Sequence, residues 1–310
     1  MHSEFSPSWE KVETCPLCGW DETEIFDKRT EHRIALMNNM CLRCGLVYQS
    51  PRMEKASLER YYQMFYVTQH QRAQGVSEKE IEIQKRRAQY VVEILRRFNV
   101  TWTHHLDIGS STGLLLEEVR QVFGTRSTGI ELADTYRDYA SERGLEIYPT
   151  LDDLPETYTK KFDLITMLHV LEHLSEPKAF LARLREHWLA EDGLLMVEVP
   201  NLFFHATFEV PHLTHYHAGT LTAMLEQSGY RVALLLKHGS PRSRRFPLNL
   251  LAIAHSGPSR LKSSTTWASP RMIRAQRKLG RMAYLLVAGV LKALRLGKPT
   301  ELELLDRARR

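Results

Sequence analysis

Short apolar segments alternate with amphipathic segments through the middle of this 310-residue chain. Alternation between a period near 2 and a period near 3.6 predicts strands connected by helices. Such connections make neighbouring strands parallel and place helices on both faces of the sheet, so we predict an α/β fold with a doubly wound, mostly parallel sheet. The predicted strands are 103–108, 127–130, 162–168, 193–199, 232–237 and 248–254, and the intervening helices are 114–122, 133–143, 177–188 and 220–228.

All four cysteines lie near the start of the chain in two Cys-x-x-Cys pairs, Cys15 with Cys18 and Cys41 with Cys44. Two residues between paired thiolates suit one tetrahedral Zn²⁺, and two such pairs complete a closed four-thiolate site. Two disulfides are the alternative, and they belong to oxidising compartments. The chain shows neither a secretory signal nor an apolar run of the roughly 20 residues that span a bilayer. We therefore predict a structural zinc module and a cytoplasmic location.

A glycine-rich segment, Asp107-Ile108-Gly109-Ser110-Ser111-Thr112-Gly113, follows the first strand of the alternating region. Glycines at a strand-to-helix turn let the backbone approach a ligand closely. Asp107 ends the strand and can accept hydrogen bonds from an amine or hydroxyl. Glu131 ends the next strand, where a carboxylate can bind both hydroxyls of a ribose. This spacing predicts a nucleoside-containing ligand at the carboxyl ends of the strands.

Segments 107–113, 129–131, 162–165, 169–177 and 199–201 resemble the successive motifs of class I S-adenosylmethionine-dependent methyltransferases. The paired cysteines, with Gly45-Leu46-Val47-Tyr48 after the second pair, are similar to the subset with an N-terminal four-cysteine zinc-binding module. That subset includes deoxysugar C-methyltransferases. The resemblance spans about residues 12–255 and implies a Rossmann-like sheet, S-adenosyl-L-methionine as cofactor and a structural Zn²⁺.

The resemblance also implies which residues contact the cofactor. One group would line its methionine end, one acid would hold the ribose, a loop would lie near the adenine, and one histidine would flank the acceptor side. Asp107, Gly109, Ser110 and Gly113 are the residues at the methionine end, and Glu131 is the acid at the ribose. Asp153 and Leu154 belong to the adenine loop, and His169 is the histidine on the acceptor side.

Two histidine-containing segments supply candidate catalytic residues. His169-Val-Leu-Glu172-His173 matches an inverted zinc-protease pattern, but it follows a strand rather than lying inside a long helix. Glu172 and His173 are therefore predicted to position the acceptor or to cap the following helix.

The second segment carries three imidazoles, His212, His215 and His217, after the strand that ends at Asn201. We expect them in a loop over the carboxyl edge of the sheet. A neutral imidazole takes a proton near pH 7, so we predict that His212 is the general base. The sugar C-methyltransferases have Tyr-x-Glu-His here, and only the histidine matches. An O- or N-acceptor is thus at least as compatible as a C-acceptor.

Positive charge concentrates in the last quarter of the chain. Residues 231–310 contain 18 Lys and Arg against three acids, a net charge of +15, whereas the first 230 residues carry −10. A helix from Pro270 to about residue 296 is predicted to place basic residues along one side and apolar residues largely on the other. It would lie on an anionic membrane or dock through its apolar side with its basic side in water. The basic residues are Arg274, Arg277, Lys278, Arg281, Lys292 and Arg295.

These patterns predict a zinc-binding module (1–53), a helical connector or lid (54–100), a methyltransferase domain (101–255), and a linker with a basic amphipathic helix (256–310). The predicted function is methyl transfer to a small-molecule acceptor, anionic or sugar-linked, such as a sugar or glycan precursor. Peripheral contact with the inner membrane face is a further expectation. Two alternatives are an RNA methyltransferase that binds RNA through the zinc module and basic tail, and a non-catalytic zinc-ribbon protein on a methyltransferase fold.

Overall fold

The computed structural model describes residues 6–31, 33–61, 76–98, 100–204, 208–243, 245–257 and 267–293. Its strands are β1 Trp9–Glu10, β2 Thr23–Glu31, β3 Ile34–Cys41, β4 Val47–Gln49, β5 Arg52–Met53, β6 His104–Ile108, β7 Arg126–Ile130, β8 Glu146–Tyr148, β9 Phe162–Leu168, β10 Leu189–Pro200, β11 Thr214–His215, β12 Tyr230–His238 and β13 Asn249–Ser256. Its α-helices are α1 Lys55–Tyr61, α2 Glu78–Leu95, α3 Leu114–Phe123, α4 Asp134–Glu142, α5 Pro177–Arg183, α6 Ala218–Gln227 and α7 Pro270–Ala293.

Seven of the described strands form the central sheet in the order β12-β13-β10-β9-β6-β7-β8. Strands β8, β7, β6, β9 and β10 are parallel, and β13 runs antiparallel to both of its neighbours. The prediction of a mostly parallel α/β sheet is confirmed. The strand order reverses between β6 and β9, and ligands of such sheets bind at the carboxyl ends of the strands beside this reversal.

Helix α2 begins at a sequence-encoded cap and packs on one face of the sheet. Ser77 accepts a hydrogen bond from the Glu80 amide, and acids occupy the first turn, where they oppose the positive end of the helix dipole. Its buried Val91 and Leu95 belong to the same apolar cluster as Met196 of β10. Burial of each such side chain contributes about 1.5–3 kcal/mol. Helix α2 therefore forms a layer of the main domain, although the sequence places it in the connector.

The N-terminal module is joined to the main domain by a shared sheet. Strands β2, β3 and β4 form an antiparallel ribbon, and β11 pairs antiparallel with β4 through Thr214–Tyr48 and His215–Val47. Because β11 follows β10 in the chain, the loop that contains His212 ends as an edge strand of this ribbon.

Helix α7 docks on the protein, but its predicted basic side does not lie wholly in water, as the docking alternative expects. Ile273 is fully buried in a cluster with Met40 and Val47 of the module. Arg274 pairs with Glu24 at 2.8 Å, and Arg277 donates to the Leu202 carbonyl. Two residues of the predicted basic side thus face the protein.

The outward side of α7 carries apolar side chains instead. Leu279, Met282, Leu286 and Val290 are all exposed. Within the part of the chain that the structure describes, no helix is both long and apolar enough to cross a membrane. The Lys292 side chain, Leu294 and Arg295 lie outside the described residues.

Candidate active site

A buried polar network fixes Asp107 at the end of β6. Thr166 of β9 donates its hydroxyl to the Asp107 carboxylate at 2.6 Å. The His105 ring lies between Thr166 at 2.8 Å and Ser127 at 3.3 Å. Burial raises the pKa of Asp107 to about 7, although the Thr166 bond acts in the opposite direction. A cationic amine placed beside this carboxyl would favour its charged form.

The glycine-rich turn admits no side chain at two positions. Gly109 and Gly113 are left-handed, with φ of 72° and 76°. A Cβ at Gly109 would lie 2.5 Å from Val170, and one at Gly113 would lie 2.3 Å from Leu145. Ser110 is buried: its hydroxyl and its amide both donate to the Ile130 carbonyl, and its own carbonyl accepts from the Gly113 amide. Contact of Ser110 with the cofactor stays a prediction.

Glu131 lies beside this turn at the end of β7. Its two carboxylate oxygens accept hydrogen bonds from the amides of Ser111 at 2.8 Å and Ala133 at 2.9 Å. Each oxygen retains a second lone-pair site, so the carboxylate can still accept from two ribose hydroxyls. The geometry fits the nucleoside end of the cofactor that the sequence predicts.

The predicted adenine loop follows β8 as a short 3₁₀ turn, Leu151–Asp153. The Asp153 carboxylate caps this turn by accepting from the Thr150 amide at 3.0 Å and its hydroxyl at 2.7 Å. Leu154 is buried in the main apolar cluster. Contact of these two residues with the adenine stays a prediction.

Helix α2 contacts the glycine-rich turn through residues that the sequence analysis missed. Gln84 donates to the Ser111 hydroxyl at 3.1 Å and accepts from the Thr112 hydroxyl. One turn earlier, Glu80 accepts from the Tyr136 hydroxyl at 2.8 Å. The N-terminal half of α2 therefore lies against the predicted cofactor turn.

His169 follows β9 in a left-handed conformation, with φ of 57°. Its ring lies between Glu172 at 3.2 Å and Glu198 at 2.9 Å. Burial and the Arg87 charge lower the pKa of His169, but the two carboxylates raise it above its usual value overall. Glu198 is fully buried and also contacts Arg87 at 3.3 Å and His238 at 3.2 Å. His169 is thus engaged by two acids, and its contact with the cofactor stays a prediction.

The structure brings together the three predicted catalytic residues, Glu172, His173 and His212. The rings of His173 and His212 have centroids 4.8 Å apart, and one ligand-type atom of each of the three residues lies within 4.8 Å of the others. The His173 Nδ1 lies 3.0 Å from the Pro211 carbonyl, to which it donates. The His173 Nε2 lies 3.9 Å from the Glu172 carboxylate. This cluster can exchange a proton or hold a divalent cation.

The cluster and the glycine-rich turn lie at neighbouring strand ends. Val170, which packs against Gly109, precedes His173 by three residues, and the Leu213 amide donates to the Glu172 carbonyl at 2.8 Å. A cofactor at the turn and an acceptor at His212 would thus meet along the same edge of the sheet.

The backbone around His212 accepts several hydrogen bonds from one residue of the module. The buried Gln49 amide donates to the carbonyls of Glu209 at 3.0 Å, Val210 at 3.0 Å and His212 at 2.8 Å. The Gln49 backbone amide also donates to the Leu213 carbonyl at 2.9 Å.

The other two imidazoles of this segment have structural contacts. His215 lies in β11, with Nε2 3.0 Å from the Asn38 amide oxygen. His217 caps α6 by accepting from the Gly219 amide at 3.1 Å. The expected histidine loop is therefore partly a strand and a helix cap, and His212 is the member of the trio that joins Glu172 and His173.

The four cysteine sulfurs meet in a compact cluster in which every pair lies within 4.8 Å. The Cys15 and Cys44 sulfurs are 3.5 Å apart, and those of Cys18 and Cys41 are 3.6 Å apart. Four ligands about 2.3 Å from a tetrahedral Zn²⁺ would have similar separations. The cysteines are not disulfide-bonded, and the donor set fits zinc.

Comparisons with known proteins show which family the central sheet and its helices resemble. A methyltransferase-domain family matches residues 81–235, which is half of the chain. Curated relatives named ubiquinone biosynthesis O-methyltransferase include one from Nitrosococcus oceani, 38% identical over 84 residues that cover 25% of this chain and 35% of the relative. Another, from Actinobacillus pleuropneumoniae, is 32% identical over 107 residues that cover 31% and 45%. The chain thus spans less than half the length of these relatives.

A solved structure with a similar fold is the 1,6-didemethyltoxoflavin-N1-methyltransferase of Burkholderia thailandensis, which contains S-adenosylhomocysteine. It is 14% identical, with a TM-score of 0.54, and the match covers 75% of this chain and all of that one. Its sequence identity is low, so it supports the fold alone. The family match shows that the chain belongs to the methyltransferase-domain family.

Proposed function

We propose that this enzyme methylates a hydroxyl oxygen of a small-molecule acceptor, with His212 as the general base. The observation that carries the proposal is the joining of His212 to Glu172 and His173 beside the glycine-rich turn. The names of the curated relatives support an oxygen acceptor.

The residues of the chain need to bind the cofactor and the acceptor, align them, and remove one proton from the acceptor hydroxyl. When bound, S-adenosylmethionine supplies a methyl group that its sulfonium already activates. Asp107 would face the amine of the methionine end, and Glu131 would bind the ribose hydroxyls. His212 would accept the hydroxyl proton of an acceptor held in line with the methyl group that the cofactor would supply.

A sugar or glycan precursor is the acceptor class that we favour. The resemblance to sugar methyltransferases extends through the N-terminal module, whereas only His212 matches their Tyr-x-Glu-His pattern. A sugar hydroxyl as the acceptor is consistent with both observations. O-methylation needs a base, but it does not need the tyrosine and glutamate of the C-methyltransferase pattern.

We also propose that the four cysteines bind one structural Zn²⁺. The metal would fix the turn between β3 and β4, and β4 pairs with β11. Through Gln49 the module would then hold the backbone of His212, so the zinc would support methyl transfer without taking part in it.

The cluster of Glu172, His173 and His212 also favours a second mechanism. Glu172 is 1% exposed, and burial alone would raise its pKa, but the His169 hydrogen bond and the nearby imidazoles hold it below its usual value. A carboxylate and two imidazoles suit a divalent cation, which would lower the pKa of a bound acceptor hydroxyl directly. His212 would then be a metal ligand rather than the base.

Labelled S-adenosylmethionine would test the proposed function. The purified enzyme is incubated with sugar nucleotides, lipid-linked glycans, hydroxylated aromatics or total RNA, and the labelled fraction is identified. We expect label in an alkali-stable methyl ether of a small molecule. Label in RNA would support the alternative reading, and label on carbon or nitrogen would contradict the oxygen acceptor.

A further inference from the structure

Helix α7 presents an apolar stripe to solvent. Its members recur at spacings of 7, 3, 4 and 4 residues and therefore share one side of the helix. They are Met272 (55% exposed), Leu279 (65%), Met282 (49%), Leu286 (67%) and Val290 (56%). Five large apolar side chains this exposed on one helix side form a continuous surface, unlike the isolated exposed residues that are ordinary in proteins.

The opposite side of α7 is anchored to the protein. Ile273 is fully buried, and a Cβ at Gly280 would lie 2.5 Å from the Phe203 carbonyl oxygen. The Arg277 guanidinium lies 5.1 Å from the Phe208 ring centroid. These contacts fix the rotation of the helix, so the stripe faces outward because of how α7 docks.

Basic side chains border the stripe on one flank. Arg271 and Lys278 are exposed, and helical spacing places both beside the same edge of the stripe. The sequence of α7 contains no acid. If the stripe packed against a second copy of itself, it would bring like charges together. An apolar stripe with a basic border is instead complementary to an anionic lipid surface.

We propose that α7 lies in the interface of an anionic membrane, with this stripe among the acyl chains and Arg271 and Lys278 at the headgroups. Arg277 binds the carbonyl of Leu202, which follows β10 and begins the segment leading to His212. Membrane binding would therefore bring the acceptor side of the enzyme to the bilayer surface. This last step rests on the proposed function, and it identifies the acceptor as a lipid-linked or otherwise amphipathic molecule.

Vesicle co-sedimentation of the full chain tests the proposal. Vesicles of phosphatidylcholine alone are compared with vesicles that also contain phosphatidylglycerol. We expect binding to the anionic vesicles that weakens with salt. Replacement of both Leu279→Glu and Leu286→Glu should lower the partition coefficient by more than tenfold, since two leucines that would insert among the acyl chains become acids. Lys278→Glu should lower it by roughly fivefold or more.

Val100→Glu is the matched control, because Val100 is 52% exposed and lies just before β6, outside α7. It should bind vesicles like the wild type. Failure of the wild type to bind anionic vesicles would overturn the proposal, and so would undiminished binding by the double variant. Salt-dependent binding to RNA without vesicle binding, or a dimer that the double variant dissociates without vesicle binding, would also overturn it.

Vesicle binding and methyl transfer distinguish this proposal from the proposed function. If methyl transfer to a small-molecule hydroxyl is observed but vesicle binding is absent, the membrane inference alone fails. If vesicle binding occurs but the label enters RNA, the proposed function alone fails.

Discussion

The side-chain amide of Gln49 donates a hydrogen bond of 2.8 Å to the backbone carbonyl of His212. Gln49 belongs to the N-terminal module and His212 to the main domain, and both are buried. This bond, with those to Glu209 and Val210, makes the module part of the structure that positions the candidate base. The module can therefore support the candidate site without contacting nucleic acid.

Replacement Gln49→Ala should slow methyl transfer while leaving cofactor affinity unchanged. The substitution leaves buried carbonyls without a donor, which costs about 1–3 kcal/mol, and it loosens the His212 backbone. Calorimetry with S-adenosylmethionine and turnover with a labelled acceptor measure the two effects. Asn39→Ala is the control, because Asn39 donates to the Ser50 carbonyl within the module. Equal losses in both variants would show a general effect on stability.

Replacement Glu131→Ala should abolish cofactor binding that calorimetry can detect. Each hydrogen bond to a charged group contributes about 1.5–3 kcal/mol, and the ribose would lose two of them. Glu142→Ala changes an exposed acid of α4 and should bind like the wild type. Unchanged affinity of Glu131→Ala would remove the ribose assignment.

The stability of the cofactor-free protein should depend on pH through Asp107. Burial raises the pKa of this carboxyl from 3.8 to about 7, so its protonated form is favoured in the folded state. The resulting stabilisation is complete below the unfolded pKa and is lost as pH rises through about 7. Each unit of pKa difference corresponds to about 1.4 kcal/mol.

Comparison with Asp107→Asn isolates this group from the other titrating residues. Between about pH 5 and about pH 8, the melting temperature of the wild type should fall relative to that of the variant. A difference in melting temperature that stays constant over this range would show that Asp107 is charged in the fold throughout.

Metal analysis of the purified protein should find about one zinc per chain, held by the four cysteines. Cys44→Ser should lower the zinc content and the melting temperature, because structural zinc sites contribute directly to folding. Absence of zinc from gently purified protein would contradict the module assignment. Divalent metal that is lost in His212→Ala while the zinc remains would favour the cation mechanism.

Periodicity predicted much of the fold because long, buried parallel strands have a strong pattern. The interval 162–168 coincides with β9, and α3 ends one residue beyond its prediction. Strands β8 and β11 were missed, since three and two residues carry no recognisable period. Helix α7 was located correctly, but its orientation depends on the fit of Ile273 and Gly280 against other parts of the chain, which periodicity does not encode.

The sequence singles out Gly109 and Glu131 because the chemistry of a cofactor site restricts the residue type at those positions. The structure places both at the glycine-rich turn, and their contact with the cofactor stays a prediction. Gln49 and Gln84 were missed because their roles arise from contacts with residues distant in sequence. Glu198 lies within a strand predicted as apolar, and its charge there could have been a signal: a fully buried acid needs partners. The two glutamines offer no comparable signal.

Turnover of His212→Ala on the acceptor that the wild type labels, measured together with cofactor affinity, tests the central claim most directly. General base catalysis contributes typically 10²- to 10⁴-fold, so we predict a loss of about that size with unchanged affinity for S-adenosylmethionine. The residual rate should rise with pH as the acceptor hydroxyl ionises without help. Full turnover in His212→Ala would contradict the account, because His212 would then have no part in proton removal.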